Sequence, residues 1–419
     1  MKRIIKKLIP ARLLGLYHYA LAVAGSVIYG FPSKKLFVIA VTGTKGKSSV
    51  VELIHSMLTE AGYKTAAAST IRFTIGTQSE RNLFKMTMPG RFFLQQFLRR
   101  AVREGATHAV VEMTSEGARQ FRHKGVELDA LVFTNLSPEH IESHGSLEAY
   151  AAAKLTLAKH LENSSKRPRY IVANLDDAYG KSFLDITVEH KAPFSLKDAE
   201  PYSVDDNSVR FVFKGGDVFT VPLPGLFSLK NVLATITLGS AMGIPTAVMK
   251  KALEHHAPIA GRAERVVMGQ PFIVVVDYAH TPESLQAIYE TYKTHRIIAI
   301  LGSTGGGRDT WKRPAMGKIA DTFAHIAILT NEDPYDEDPQ KIVDEVARGF
   351  SAHRPHIILD RRQAIREALR EAKPGDAVVI TGKGTDPYIM GPHGTKEEWS
   401  DKKVAEEELR KLGYKSASK

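Results

Sequence analysis

Apolar and polar positions along the chain fall into two series of strand and helix signals that part near residue 261. In the first, the apolar run at residues 37–41 predicts a buried parallel strand, and apolar residues at helical spacing over 50–58 predict a helix starting near Lys47. Residues 86–91 read as a turn and 92–104 as a helix. Strand signals recur at 108–113, 130–135 and 169–174, each leading into a polar loop, with a helix over 150–157. Alternation over 203–222, with Gly215 and Gly216 as a hairpin turn, predicts antiparallel strands, and residues 226–242 return to helix. The second series has strands at 272–277, 296–301, 325–330, 356–359 and 377–381, then a charged tail that reads as helix from 396 to 412. Repeated strand, loop and helix order predicts sheets covered on both faces. The expected fold class is α/β: a central P-loop domain with a mostly parallel sheet over residues 35–260, then a Rossmann-like C-terminal α/β domain over 261–419.

Residues 1–34 read as a helical leader. Lys2, Arg3, Lys6, Lys7 and Arg12 precede 19 uncharged residues at 13–31, close to the roughly 20 that a bilayer-spanning helix needs. Tyr17, His18, Tyr19, Gly25 and Ser26 dilute that run, which favours a helix packed on the protein or lying at a membrane interface over a span. A cleaved signal is disfavoured, because no small-residue cleavage site precedes Pro32. The expectation is a cytoplasmic protein whose residues 1–31 are candidates for peripheral contact with the inner membrane face.

A chain of 419 residues, 43% hydrophobic and 25% charged, has the balance of a globular protein. Its lack of cysteine excludes disulfides, thiolate metal sites and a thiol nucleophile. A net charge of +11 points to an anionic partner. No nucleic-acid recognition module accompanies that charge, so nucleic acid is not an expected partner.

Candidate chemistry is densest at residues 39–49, which read Ile-Ala-Val-Thr-Gly-Thr-Lys-Gly-Lys-Ser-Ser. Gly43 and Gly46 let the turn through Thr44 and Lys45 curl until several N–H groups point at one anion. The helix N-terminus adds partial positive charge, and Lys47 neutralises phosphate oxygens. Ser48, ahead of Ser49, can hold Mg²⁺. Val41 stands where the general P-loop pattern has its first glycine, so an ordinary glycine-rich strand–helix turn is the alternative. Glu112 closes an apolar strand at the carboxyl end of the expected sheet, where ligands gather. It reads as a metal ligand or water-positioning group, with a structural salt bridge as the alternative. On composition alone Lys154 is a surface lysine.

Several segments, in order and at familiar spacing, resemble one family. They are residues 41–49, Asn-Leu-Ser-Pro-Glu-His at 135–140 with Tyr-Ala-Ala-Ala-Lys at 150–154, Gly-Arg-Ala-Glu-Arg-Val at 261–266, Val-Asp-Tyr-Ala-His-Thr-Pro at 276–282, Lys-Arg-Pro-Ala-Met-Gly at 312–317 and Gly-Lys-Gly at 382–384. Together they resemble the ATP-dependent Mur ligases, most closely the MurE type, over roughly residues 35–388. The resemblance implies ATP and two Mg²⁺ ions, held through Ser48, Glu112, His140 and a carbamylated Lys154. A lysine carbamate is anionic and offers oxygen where an ammonium would repel metal. It also implies an adenine contact at Asn231, with Arg262, Asp277 and His280 closing over ATP. For the substrates it implies Thr87, Gln120 and Arg122 on a muramoyl-peptide-like acceptor, and Asp333, Tyr335, Gly384 and Asp386 around the incoming amino acid. The implied reaction, in a monomer, passes the ATP γ-phosphoryl group to a substrate carboxylate and lets an amine attack the acyl phosphate. Lys47, Glu112, His140 and Lys154 form the implied catalytic set.

The chain departs from the family pattern in four places, one of them the family's serine–serine–histidine segment, which reads Thr-Ser-Glu at 114–116. About 35 residues precede the P-loop strand, so the separate N-terminal domain that holds uridine diphosphate in MurE proteins is expected to be missing. Tyr335 stands where diaminopimelate-adding members have an arginine, and a phenol cannot form a bidentate charged fork. Residues 382–386 read Gly-Lys-Gly-Thr-Asp, which leaves Asp386 as the acidic group for the incoming amine. Two other readings are a folylpolyglutamate or cyanophycin synthetase type of ligase and a noncatalytic, membrane-associated ATP-binding scaffold. Residues 261–265 and 278–282 disfavour the first, and the joint presence of metal ligands and an amine site disfavours the second.

Overall fold

The computed structural model describes residues 11–139, 141–307 and 309–415. Helix α1 (Ala11–Ile28) leads into β1 (Phe37–Thr42), and α2 (Lys47–Glu60) follows the turn. Six of the next strands are β2 (Thr65–Ala68), β3 (Arg72–Ile75), β4 (Gln78–Arg81), β5 (His108–Glu112), β6 (Ala130–Phe133) and β7 (Tyr170–Asn174). With β8 (His190–Phe194) they form one sheet in the order β4-β3-β2-β5-β1-β6-β7-β8. Pairs from β2 to β8 in that order are parallel, and β2–β3 and β3–β4 are antiparallel.

The unbroken apolar run of β1 follows from burial on both faces. Ile39 and Val41 enter one core and Val38 and Ala40 the other, since successive strand side chains alternate. Helices α3 (Arg91–Arg103) and α4 (Leu147–Glu162) cover the second face. The first is covered by α2, by α5 (Gly225–Ala241) and by a small antiparallel sheet. That small sheet comprises β9 (Tyr202–Val204), β10 (Val209–Val212) and β11 (Val218–Val221).

A second sheet contains β12 (Glu264–Arg265), β13 (Ile273–Val276), β14 (Ile297–Leu301), β15 (Ile326–Leu329), β16 (His356–Ile357) and β17 (Ala377–Ile380). Its order is β12-β13-β17-β14-β15-β16, parallel except for β12–β13. Val275 faces one core, shared with α6 (Pro282–Thr291), and Val274 and Val276 face the other.

The structure corrects the reading in several places. Strands β2 to β4 have no counterpart in the hydrophobic pattern, because β2 is Thr-Ala-Ala-Ala and β4 is a wholly exposed edge. The tail is not helical from 396. Lys396–Glu398 is an exposed strand, β19, paired with β18 (Tyr388–Met390). Helix α7 (Asp401–Lys411) starts where the Ser400 side chain accepts from the Lys403 N–H. The 356–359 strand shrinks to the two residues of β16. In the leader, α1 covers 18 residues, and among the described residues no helix is long and apolar enough to cross a membrane. Residues 1–10, with four of the five leading cations, lie outside the described residues.

The topology fixes where a ligand can sit. β5 lies on one side of β1 and β6 on the other, so the loops after these strands diverge and leave a crevice above the carboxyl end of β1.

Candidate active site

The turn after β1 fills that crevice. Gly46 has φ +81, and a Cβ there would come within 2.2 Å of Asn231 Oδ1, so only glycine lets α5 approach the turn. Asn135, just after β6, holds the turn from the other side. The Lys45 N–H donates to Asn135 Oδ1 at 2.9 Å, and the Thr44 N–H to its carbonyl at 2.8 Å. Ser48 Oγ donates to Glu112 Oε2 at 2.9 Å, and the Thr70 N–H and hydroxyl donate to the same oxygen at 2.9 and 3.1 Å. Lys47 Nζ donates to the Thr44 carbonyl at 2.9 Å and lies 3.8 Å from Glu112 Oε1. Burial lowers the Lys47 pKa, against the opposing pull of Glu112 and Glu139.

Lys154 is not a surface residue. Its side chain is 1% exposed, donates to the Gly43 carbonyl at 2.6 Å and lies 4.6 Å above the Tyr150 ring. Burial, then the neighbouring Lys47 charge, hold its pKa well below the ordinary lysine value. A neutral amine is the nucleophilic form, the one that can add carbon dioxide. The Ser48 hydroxyl and Glu112 carboxylate are an oxygen pair suited to Mg²⁺, which takes one or two carboxylates, adds substrate phosphates and retains water. Among the described residues no group of three His, Asp or Glu side chains could hold a metal. Donors for a second ion would be the Lys154 carbamate and His140, and His140 lies outside the described residues.

The cleft above the turn has a volume of about 340 Å³. Thr44, Lys45, Gly46, Lys47, Ser48, Ser49, Thr87 and Glu112 line it together with Asn231, Arg262, Asp277 and His280. The structure thus brings most of the sequence-derived nucleotide site into one space, with Gly43 beneath it. Arg262 reaches 3.5 Å from Ser48 Oγ and stacks 4.6 Å above the Tyr278 ring. Asp277 accepts from the Ala263 and Ala279 N–H groups at 2.6 Å each. Its burial raises its pKa, even with Arg262 nearby.

Glu139 was given no role from sequence beyond its place beside His140. It accepts from Lys45 Nζ at 3.1 Å and lies 3.0 Å from His280 Nε2, joining the turn to the loop after β13.

The remaining candidates form two neighbouring groups. Thr87 Oγ1 lies 2.7 Å from Thr70 Oγ1. Arg122 donates to the Met88 carbonyl and, at 2.7 Å, to Gln120 Oε1. Asp333 and Asp386 lie outside the main cleft and share Lys383, whose Nζ is 2.8 Å from one and 3.4 Å from the other. Lys85, from the turn before α3, donates to Asp333, sits 3.3 Å from Asp386 and lies 5.9 Å from the Tyr335 ring. Burial alone would lower its pKa, but Asp386 and Asp333 outweigh burial and raise it. No pattern in the sequence marks Lys85. Gly384, at φ +48, lets its loop approach Tyr278 and Gly261, since a Cβ there would lie 2.8 Å from Tyr278 Cβ and 2.9 Å from the Gly261 carbonyl oxygen.

Comparison with known proteins bears on the whole arrangement. Residues 41–239 match the Mur ligase middle domain, and residues 261–384 match the Mur ligase, glutamate ligase domain. A UDP-N-acetylmuramoyl-L-alanyl-D-glutamate–2,6-diaminopimelate ligase from Syntrophomonas wolfei is 35% identical over 405 residues, covering 93% of this chain and 82% of that protein. The chain belongs to the Mur ligase family. A solved structure of a ligase with the same name superposes on this Mur ligase with a TM-score of 0.62 at 29% identity, covering 90% of this chain and 79% of that one. The Mycobacterium tuberculosis folylpolyglutamate synthase, at 15% identity and a TM-score of 0.71, shares the fold.

Proposed function

We propose that the protein is an ATP-dependent ligase that joins an amino acid to a carboxylate of a muramoyl-peptide-like cell-wall precursor. The observation that carries this reading is the meeting of two half-sites. The phosphate cradle and the Ser48–Glu112 pair belong to the first sheet, Arg262, Asp277 and His280 to the second, and all line one cleft.

In this reading the turn after β1 and Lys47 hold the β- and γ-phosphates, and Asn231 and Asp277 border the nucleoside. Mg²⁺, in two sites, would offset charge on the phosphates. An acceptor carboxylate oxygen bonds to the γ-phosphorus as the bond to the β-bridging oxygen breaks, giving an acyl phosphate and ADP. The incoming amine attacks the acyl carbon, inorganic phosphate leaves, and the amine loses a proton to give the amide. The chain's part is to position and to spread charge, with Lys47 and Arg262 placed where negative charge gathers. Closing the second sheet over the first also excludes water, which would otherwise hydrolyse the acyl phosphate. Gln120, Arg122 and Thr87 would hold the acceptor, and Asp333 and Asp386 the incoming amine. Tyr335 gives no guanidinium for a distal carboxylate, which argues for an amino acid other than diaminopimelate. The protein would act as a monomer, and residues 1–31 would meet a membrane surface.

The test is phosphate release from ATP with muramoyl dipeptide acceptors bearing or lacking uridine diphosphate, each against a panel of amino acids, with product masses recorded. The expected result is phosphate release that needs both acceptor and amino acid, with one new amide mass. ATP hydrolysis that ignores every acceptor and yields no amide would overturn the reading.

A further inference from the structure

Helix α1 is built inside out for a helix in water. Its inward face is small: Ala22, Gly25 and Ser26 are buried, and the fit is close enough that a Cβ on Gly125 would come within 1.7 Å of Ser26 Oγ. Gln95 of α3 donates to Ser26 Oγ at 3.2 Å and fastens the helix there. The large residues face outward. Leu16 is 64% exposed, Val27 58% and Ile28 67%, with Tyr17, Tyr19 and Val23 also exposed and Phe31 just beyond. A surface helix in a globular protein normally turns charged residues outward. Here no charged residue occurs between Arg12 and Lys34.

In the sequence, cations precede and follow this apolar stretch. Lys2, Arg3, Lys6, Lys7 and Arg12 come before it, and exposed Lys34 and Lys35 after it; the first carboxylate in the chain is Glu52. Among the described residues no helix is long and apolar enough to cross a bilayer. Resting along the headgroups satisfies each feature: the apolar side chains enter the acyl boundary, the tyrosines sit at the interface, and the cations meet anionic lipid. An exposed apolar helix face with no acidic residue, and with cations before and after it in the sequence, complements an anionic lipid interface without needing a matching groove.

We infer that α1 docks on an anionic lipid surface and holds the acceptor side of the cleft against it. The link to the site is a ring contact, since Tyr19 meets Phe121 edge-on at 5.8 Å and Phe121 lies between Gln120 and Arg122. This second part, that the docked face is the acceptor's face, rests on the proposed ligase function. The docking itself stands without it.

The experiment is cosedimentation of the full chain with phosphatidylcholine vesicles containing or lacking 30% phosphatidylglycerol, without substrate, for wild type and Leu16→Glu/Val27→Glu. Both side chains point to solvent, so unchanged thermal melting of the variant is expected and is checked. Wild type should bind the anionic vesicles at least tenfold more tightly than the neutral ones, and the double variant should lose at least tenfold. A second variant, Lys34→Gln/Lys35→Gln, should lose binding by roughly fivefold for each charge removed. Equal binding by wild type and the double variant, or no wild-type binding to anionic vesicles, overturns the inference. Self-association that the double variant abolishes, with no vesicle binding, assigns the face to a second copy of the chain. Sedimentation is read without turnover, so absence of amide product would count against the ligase reading alone.

Discussion

Lys85 crosses from the first sheet's domain to the second, and its removal should loosen the closed arrangement. In Lys85→Met the donor to Asp333 and the cation 3.3 Å from Asp386 are both lost, while Lys383 alone faces two carboxylates. The side chain of Lys85 is 17% exposed, so water partly replaces what it gave. A hydrogen bond to a charged group contributes about 1.5–3 kcal/mol, and a loss of about 2 kcal/mol lowers the ratio of closed to open molecules by roughly 30-fold. Arg81, which donates to the Thr385 carbonyl at 2.8 Å, would remain as a further tie between the domains, with Arg262–Ser48 and His280–Glu139. The chain has no cysteine, so Gln78→Cys and Lys396→Cys give a clean pair for single-molecule energy transfer between exposed positions on the two domains. Wild type without nucleotide should show one dominant high-transfer population, and Lys85→Met a broad low-transfer one. A cycle with Asp386→Asn should give a coupling above about 0.5 kcal/mol, as expected for groups in contact. The Lys85 pKa is raised above 10.5. The tie is therefore complete below that value and lost only as pH rises through the folded-state value, so closure should be flat across neutral pH. Identical transfer distributions for wild type and Lys85→Met would refute the reasoning.

Two further outcomes follow from buried groups. Lys154→Met should reduce amide formation by about 100-fold or more while ATP still binds, because the carbamate oxygen that would help hold the second Mg²⁺ beside the phosphates is gone. With ¹³C-bicarbonate, wild type should give a carbamate carbonyl resonance that the variant lacks, and absence of the resonance in wild type would refute carbamylation. His123 is fully buried beside His160, and burial, then the His160 and Lys124 charges, lower its pKa to about 3. The unfolded chain binds this proton near pH 6.5 and the folded chain does not, so the stability present above pH 6.5 is lost as pH falls toward 3. Between pH 7 and 5 the loss from this one group is about 2 kcal/mol. Urea unfolding of His123→Leu should show a correspondingly flatter acid limb, and an unchanged slope would assign the acid sensitivity elsewhere.

How much was legible in the sequence depended on how local the determining physics is. The strand, turn and helix from Phe37 to Glu60 were readable, because β1 is apolar on both faces and the glycines fall at the turn itself. Strands β2 to β4 were not, because alanines and an exposed polar edge are strands only by virtue of their neighbours. The burial of Lys154 was equally hidden. A lysine within Ala-Ala-Ala-Lys looks solvated until α4 presses it beneath Gly43, and only the family resemblance pointed to it.

The contacts that complete the site are less local still. Arg262 meets Ser48 across 214 residues, His280 meets Glu139 across 141, and Lys85 meets Asp333 across 248. Most of these residues lie in loops at the carboxyl ends of parallel strands, or at the mouth those loops form. The missing information was therefore the order of strands, β5-β1-β6 in one sheet and β13-β17-β14 in the other, and how those two ends face each other. Once that is known, the ties across the cleft follow from charge. Glu139 lies between Lys45 of the turn after β1 and His280 of the loop after β13, so the contact that joins the two domains there is also part of the wall of the nucleotide site.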